Sequence, residues 1–312
     1  MKVIHSVFNY TADKKSYVTI GTFDGVHIGH QKIIKELVSK AKSNNKKSVV
    51  LTFFPHPRSV IQQGAAIKLI NSINERIERL KKLGLDCLII HPFDKEFSKL
   101  TALSFVKNIL LNQLKIDKLI IGYNHQFGKN REGSAEQLIK YAYLYNFKIE
   151  KISAQNIEEV SVSSTKIRNA LLSGGLKTAN KYLGYNFSLT GKIISGKQLG
   201  SKIGFPTANI CLEESYKLIP KCGVYVVKSY IDNQTFYGMM NIGNRPTVKG
   251  TNQTIEVHFF NFNFNIYNKK ITVELLCFLR DEQKFSSIEE LKTQLKKDWG
   301  NSHIFLKNYA NN

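Results

Sequence analysis

One change of pattern limits how this chain can fold. Up to about residue 184, short apolar runs alternate with amphipathic segments. Beyond that point strand-like runs follow one another, and no long helical pattern returns until residue 288. In the first part, residues 18–20, 48–53, 87–90, 118–121 and 148–152 are short and rich in Val, Ile and Leu. Helical patterns over 28–43, 74–83, 101–114 and 134–145 separate them, and Gly84 supplies a C-terminal stop for the second. This alternation predicts a parallel sheet with helices on both faces. Ligands of such sheets lie beyond the carboxyl ends of the strands, so the turns after residues 20, 53, 90 and 121 share one rim. After the short helical segment 178–183, strand patterns at 188–194, 223–230, 234–242, 254–262 and 270–278 predict an antiparallel barrel. A last helix over 288–299 follows, with Ser286 or Ser287 as its N-cap and Glu289 and Glu290 in its first turn. The reading is two domains, 1–184 and 185–312.

Composition narrows the class. The chain starts Met-Lys-Val-Ile-His, without the apolar stretch of a secretory signal, and its apolar runs are too short to span a bilayer. A cytoplasmic protein without a membrane partner is expected, and self-association into a homo-oligomer is compatible with this reading. Cys87, Cys211, Cys222 and Cys277 form no CxxC pair, so neither a disulfide framework nor a zinc site is expected. They are read as reduced and mostly buried. The formal charge of +21 raises the question of nucleic acid. Only seven of the 45 basic residues are arginine, the residue suited to bidentate phosphate and base contacts, and the lysines are spread along the chain. No nucleic-acid partner is expected. A small polyanionic substrate would use the same field.

The first strand pattern runs into Gly21-Thr-Phe23-Asp24-Gly25-Val-His27-Ile-Gly29-His30. A helix start offers free backbone N–H groups to an anion. Gly29 lets a phosphate approach, and His27 and His30 can donate to its oxygens while charge builds on phosphorus during nucleotidyl transfer. Two histidines in an isolated HxxH are ordinarily satisfied within the fold; the length of the surrounding motif favours function. Asp24 and Gly25 shape the turn. At the same rim the prolines of Thr52-Phe-Phe-Pro-His56-Pro57 stiffen a loop that can present His56. Ser163-Ser164-Thr165-Lys-Ile-Arg168 opens a further helix. It is either an ordinary cap or, beside the histidine motif, a triphosphate clamp.

The barrel region opens with glycines at 191, 196, 200 and 204, then Phe-Pro-Thr207-Ala-Asn209. Gly196, Gly200 and Gly204, with Lys202 between them, can form a loop that wraps phosphate, although a Walker A signature is absent. Thr207 and Asn209 put a hydroxyl and an amide oxygen on one side of an extended segment. They suit Mg²⁺, or else close a local side-chain turn. Residues 254–260 alternate faces, with Glu256 and His258 on one of them. Glu256 is either a general base or a surface partner for lysine.

GTFDGVHIGH with SSTKIR resembles nucleotidyltransferases of the HxGH type. Together with TFFPHP and the segment from Gly122 to Gly133, it is similar to the FAD synthetase domain of bacterial bifunctional riboflavin kinase/FAD synthetases. Asn124, followed by His125 where the family usually has Phe, and Phe127 match its flavin-proximal segment. The glycine loop, PTAN, Gly223-Val-Tyr225, the segment 241–247, the Glu256 strand and 279–285 resemble the riboflavin kinase domain in the family's order. The resemblance implies an α/β chain: a Rossmann-like nucleotidyltransferase domain, then the barrel and its helix. It implies ATP-dependent phosphorylation of riboflavin to FMN, then adenylylation of FMN to FAD. His27, His30 and Glu256 would be catalytic. Gly21, Phe23, Asp24, Gly29, Ser164, Thr165 and Arg168 would serve the adenylylating ATP, and His56, Pro57, Asn124 and Phe127 the FMN. Gly196, Gly200, Lys202, Gly204, Thr207 and Asn209 would bind the second ATP, with Mg²⁺ on the last two. Arg280, Glu282 and Phe285 would contact riboflavin.

Overall fold

In a computed structural model the described residues are 1–62, 67–122, 135–152, 162–196, 199–247 and 250–310. They form two compact units, Met1–Ser164 and Thr165–Asn312.

The first unit holds six strands: β1 (Lys2–His5), β2 (Ser16–Ile20), β3 (Lys47–Phe53), β4 (Cys87–His91), β5 (Ile116–Gly122) and β6 (Lys148–Ile152). They pair in parallel in the order β1-β4-β3-β2-β5-β6. Helices α1 (Ile28–Ser43), α2 (Pro57–Ile61), α3 (Ile73–Lys82), α4 (Lys95–Ser98), α5 (Ala102–Ser104) and α6 (Ala135–Leu144) lie between the strands. β2 and β4 are buried along their whole length, as expected for strands covered on both faces. Val18, Leu51 and Ile89 enter one core with Phe105, Val106 and Ile109. Val50, Leu88 and Ile120 enter the other with Ile34, Leu37 and Ala41, the buried stripe of α1.

The chain leaves β2 toward β3 on one side and later returns to place β5 on the other. The strand order therefore reverses at β2, and the crevice of the sheet opens at the end that runs into α1. α3 begins at Ile73, with a full capping box of Ser72 and Glu75. The expected helix over 101–114 is capped by Thr101 but winds as a π-helix over Phe105–Gln113. Its wider turn aligns side chains four to five apart, and Phe105, Val106, Ile109 and Leu110 are all buried.

The helix α7 (Ser164–Ser173) starts at the junction of the units. α8 (Leu176–Leu183), β7 (Ser188–Ile194), α9 (Leu199–Lys202), β8 (Ala208–Cys211), β9 (Gly223–Ile231), β10 (Gln234–Thr247), β11 (Gly250–Phe259), β12 (Lys270–Arg280) and α10 (Ile288–Tyr309) follow. The six strands close a barrel in the order β10-β11-β8-β7-β12-β9. Leu189, Val227, Met240, Ile255, Val257, Val273 and Leu275 are among its buried side chains. α7 and α8 group with the barrel for a visible reason. The Lys221 N–H donates to Leu171 O (3.0 Å), and Asn180 bridges Leu275 O (3.0 Å) and the Phe187 N–H (2.8 Å). The cysteine reading needs correction. Only Cys87 is buried; Cys222 and Cys277 are half-buried and Cys211 is exposed, because Cys211 ends the short strand β8 at the barrel surface.

Candidate active sites

The turn between β2 and α1 is built tightly. Phe23, Gly25 and Val26 have φ of 47°, 84° and 36°. For a β-branched residue such as Val26 that is unfavourable backbone, and strain of this kind concentrates at functional sites. The turn is held from below by Asp24. Its buried carboxylate accepts from the Ile70 N–H (3.0 Å) and the Asn71 N–H (3.2 Å) and lies 4.0 Å from the buried Arg76 guanidinium. Arg76 also donates to Thr52 Oγ1 (3.4 Å), which donates to Thr22 O (3.1 Å). Asp24 is thus directed into the protein rather than toward a ligand. Gly21 packs against the Phe23 ring. Arg76 was not singled out in the sequence. Its signal was an arginine on the buried stripe of α3, one turn before Leu80.

His27 is the N-cap of α1, and its Nδ1 accepts from the His30 N–H (3.4 Å). The two rings stack with centroids 3.6 Å apart, and Phe23 meets His30 edge-on at 5.1 Å. Burial pushes His27 down to about 4, against a smaller opposing pull from Asp24. Burial also pushes His30 well below its ordinary value, helped by His27, whose ring would repel a second proton once charged, and by the positive charge of Arg76. Both rings are neutral at pH 7. With Nδ1 of His27 accepting, its proton sits on Nε2, which is a donor. Among the described residues, His30 Nδ1 is a buried nitrogen without a hydrogen-bond partner. Gly29 between them is buried. Free helical N–H groups, one imidazole donor and one unused imidazole nitrogen together suit phosphate oxygens. Ser164 Oγ donates to Asp24 O (2.8 Å) within the first unit; in the second, Thr165 is exposed and Arg168 half-buried on α7. His56 caps α2 at the end of β3 through the Arg58 N–H (3.2 Å), with Pro57 as the first helical residue. Asn124 and Phe127 lie outside the described residues.

The barrel brings a second set together. β8 and β11 pair with Asn209 opposite Glu256, and Thr207 Oγ1 donates to Glu256 Oε2 (3.4 Å). Gly196 lies so close to the Asn209 amide that a Cβ there would collide with it. Gly200 O accepts from the Ile203 N–H (3.1 Å) and the Phe205 N–H (2.8 Å), folding the glycine loop back before Gly204. Lys202 lies at the end of α9. The donors collected here are oxygens, and no group of three His, Cys, Asp or Glu capable of holding a metal occurs among the described residues. That donor set suits Mg²⁺ bound partly by a nucleotide, and not a transition metal.

The residues after β12 behave differently. Arg280 donates from Nε (2.9 Å) and Nη2 (2.7 Å) to both oxygens of Asp298, a residue of α10 that is 1 % exposed. Gln294 donates to the same carboxylate (2.9 Å). Arg280 therefore pins α10, and it lies over the Phe285 ring at 6.0 Å. Glu282 is exposed, and its Oε2 accepts from the Asn244 N–H (3.4 Å).

Comparison with known proteins agrees with this arrangement. The FAD synthetase family matches residues 9–166 and the riboflavin kinase family residues 183–306. A bifunctional riboflavin kinase/FMN adenylyltransferase of Buchnera aphidicola subsp. Schizaphis graminum is 39% identical over 303 residues, 96% of each chain. The protein of the same description from Listeria monocytogenes is 36% identical over 312 residues, 98% of each. That of Escherichia coli K12 is 34% identical over 301 residues, 96% of each. A crystal structure described as a macrolide-efflux protein from Streptococcus pneumoniae superposes with a TM-score of 0.89 at 30% identity, covering 97% of this chain and 99% of that one. Among the described residues no helix is long and apolar enough to cross a membrane. With both domains matched in order and relatives aligned nearly end to end, the chain belongs to the bifunctional riboflavin kinase/FMN adenylyltransferase family.

Proposed function

We propose that this chain makes FMN and then FAD at two separate sites, with ATP consumed at each. At the barrel, Glu256 accepts the proton of the terminal ribityl hydroxyl of riboflavin. The hydroxyl oxygen attacks the γ-phosphorus of ATP, and ADP leaves. Positioning and electrostatics carry most of such a transfer. Gly196, Gly200, Lys202 and Gly204 line the nucleotide phosphates. Thr207 and Asn209 are the residues that would hold Mg²⁺, and the ion supplies positive charge to the phosphates when bound. Arg280, Glu282 and Phe285 border the flavin, with Arg280 acting by fixing α10.

At the first unit, a phosphate oxygen of FMN attacks the α-phosphorus of a second ATP, and pyrophosphate leaves. His27 and His30 donate to the oxygens on which charge grows, together with the N–H groups around Gly29. As neutral rings they stabilise through oriented hydrogen bonds rather than net charge. Gly21, Phe23 and Asp24 shape the turn, and Ser164 holds the departing phosphates, with Thr165 and Arg168 assigned to the same role by sequence. His56 and Pro57 border the FMN, with Asn124 and Phe127 assigned to the same role by sequence. The adenylyltransferase function is drawn from 1–184 and the kinase from 185–312. Free cysteines and dependence on ATP fit a cytoplasmic enzyme without a nucleic-acid partner, and a homo-oligomer is compatible with it.

The observation that carries this reading is that the imidazole pair and the Thr207–Glu256 pair lie in different compact units, each with its own core. Incubation with riboflavin, ATP and Mg²⁺, followed by chromatography of the flavins, is expected to show FMN first and FAD after it. Failure to form FAD from supplied FMN, or FMN from riboflavin, would refute the corresponding site.

A further inference from the structure

The pairing of β8 with β11 stops early. Asn209 lies opposite Glu256 and Ala208 opposite Val257, and there the ladder ends. The next residues back, Thr207 and Pro206, include a proline that has no N–H to extend it. Thr207 nevertheless has to be held in place, because its hydroxyl faces Glu256. The hold comes from a side chain. His258, two residues beyond Glu256 and on the same face of β11, hydrogen-bonds through Nδ1 to Pro206 O (2.8 Å). A carbonyl can only accept, so Nδ1 carries the proton and donates. The ring is set by its neighbours: Phe205 meets it edge-on at 5.3 Å and Phe260 at 5.9 Å. Phe260 in turn packs on His303 (4.7 Å) and Trp299 (6.4 Å) of α10.

We propose that His258 is a positioning residue for the kinase reaction, its Nδ1–H replacing the missing strand pairing so that Thr207 and Asn209 stay in register with Glu256. The inference rests on the kinase assignment above, but it concerns a residue that touches neither phosphate nor flavin in that assignment. It explains why a histidine stands two residues after the proposed base: an imidazole donor reaches across where the backbone cannot.

The test separates the donor from the ring. His258→Phe keeps an aromatic side chain between Phe205 and Phe260 and removes the donor. His258→Asn keeps a donor close to the place of Nδ1 and removes the ring. In the full-length chain with riboflavin and saturating ATP, His258→Phe is expected to lower the kinase kcat about tenfold or more, the scale of a misplaced catalytic group. The KM for riboflavin is expected to change less than about threefold, because the flavin contacts lie elsewhere. His258→Asn is expected to recover most of the rate. Conversion of supplied FMN to FAD by the same preparations reports that the chain is folded. Emission from Trp299 is expected to be unchanged in His258→Phe, since Phe260 still supports α10. Full kinase activity in His258→Phe, or failure of His258→Asn to exceed it, would overturn the positioning role and leave only packing. Loss of FMN formation by the unsubstituted protein would instead refute the kinase assignment itself.

Discussion

The attachment of α10 to the barrel can be weighed from the geometry of one carboxylate. Asp298 is 1 % exposed and accepts three hydrogen bonds, two from Arg280 and one from Gln294. Asp298→Ala leaves the Arg280 guanidinium facing the gap, with Nη1 on Asp281 O (2.9 Å) as its remaining described hydrogen bond. Breaking a buried ion pair from one side costs about 3–5 kcal/mol. Arg280 keeps 18% of its side-chain surface in water, which favours the lower end of that range, about 3 kcal/mol. With a urea dependence of about 2 kcal/mol/M, the midpoint is expected to fall by about 1.5 M. Trp299 is the single tryptophan of the chain and follows Asp298 directly, so its emission reports this transition. Riboflavin phosphorylation is expected to fall with it, because the proposed function puts 280–285 beside the flavin. FAD formation from supplied FMN, measured without urea, is expected to persist. A midpoint within about 0.3 M of the original, with unchanged kinase activity, would refute the reasoning.

Three further outcomes are expected. His30→Ala is expected to lower FAD formation by about 10²–10³ while FMN formation stays intact, the cost of one lost transition-state stabiliser; flavin chromatography reads both products. Glu256→Gln is expected to do the reverse, abolishing most kinase turnover and sparing adenylylation of supplied FMN, and an unchanged kinase rate would remove Glu256 as the base. The third concerns pH. His27 titrates at about 4 in the folded chain against about 6.5 unfolded, so the unfolded chain binds the extra proton first as pH falls. The His27 contribution to the stability of Met1–Ser164 is therefore full above pH 6.5 and falls by about 3 kcal/mol as pH drops toward 4, and the lowered His30 adds a loss of the same sign that continues below it. His27→Asn, which retains an acceptor for the helix cap, is expected to remove the His27 share of this slope in urea titrations at pH 7 and pH 5 and to leave the His30 share.

Much of the architecture was legible because it follows from periodicity. The strands β2 to β5 carry apolar runs, and the stop at Gly84 is marked in the sequence; Ser287, not Ser286, caps α10. What escaped lacked a local signal. β1 is a four-residue edge strand that owes its existence to pairing with β4. β8 is equally short, and the sequence reads only its start, 207–209, as an extended segment without naming it among the barrel strands. β10 continues to Thr247 because it pairs with β11 along its whole second half. α10 runs ten residues past Trp299, through a glycine at 300 that would ordinarily weaken a helix. The histidine pair was legible from its motif. Its neutral state was not, since burial and the Arg76 charge come from segments distant in the chain. Likewise, Arg280 reads as a flavin contact in sequence, while Asp298, which engages it, stands 18 residues later.

The closed barrel also decides how copies of this chain can meet. Among the described residues each of its strands is hydrogen-bonded to two neighbours, so the second unit has no edge strand for another chain to extend. The parallel sheet does end in two margins, β1 and β6. β6 carries Lys148, Glu150 and Lys151 within five residues, charges that discourage a foreign strand from docking. β1 is only four residues long and begins with the exposed Lys2, so this margin too offers a foreign strand little to pair with.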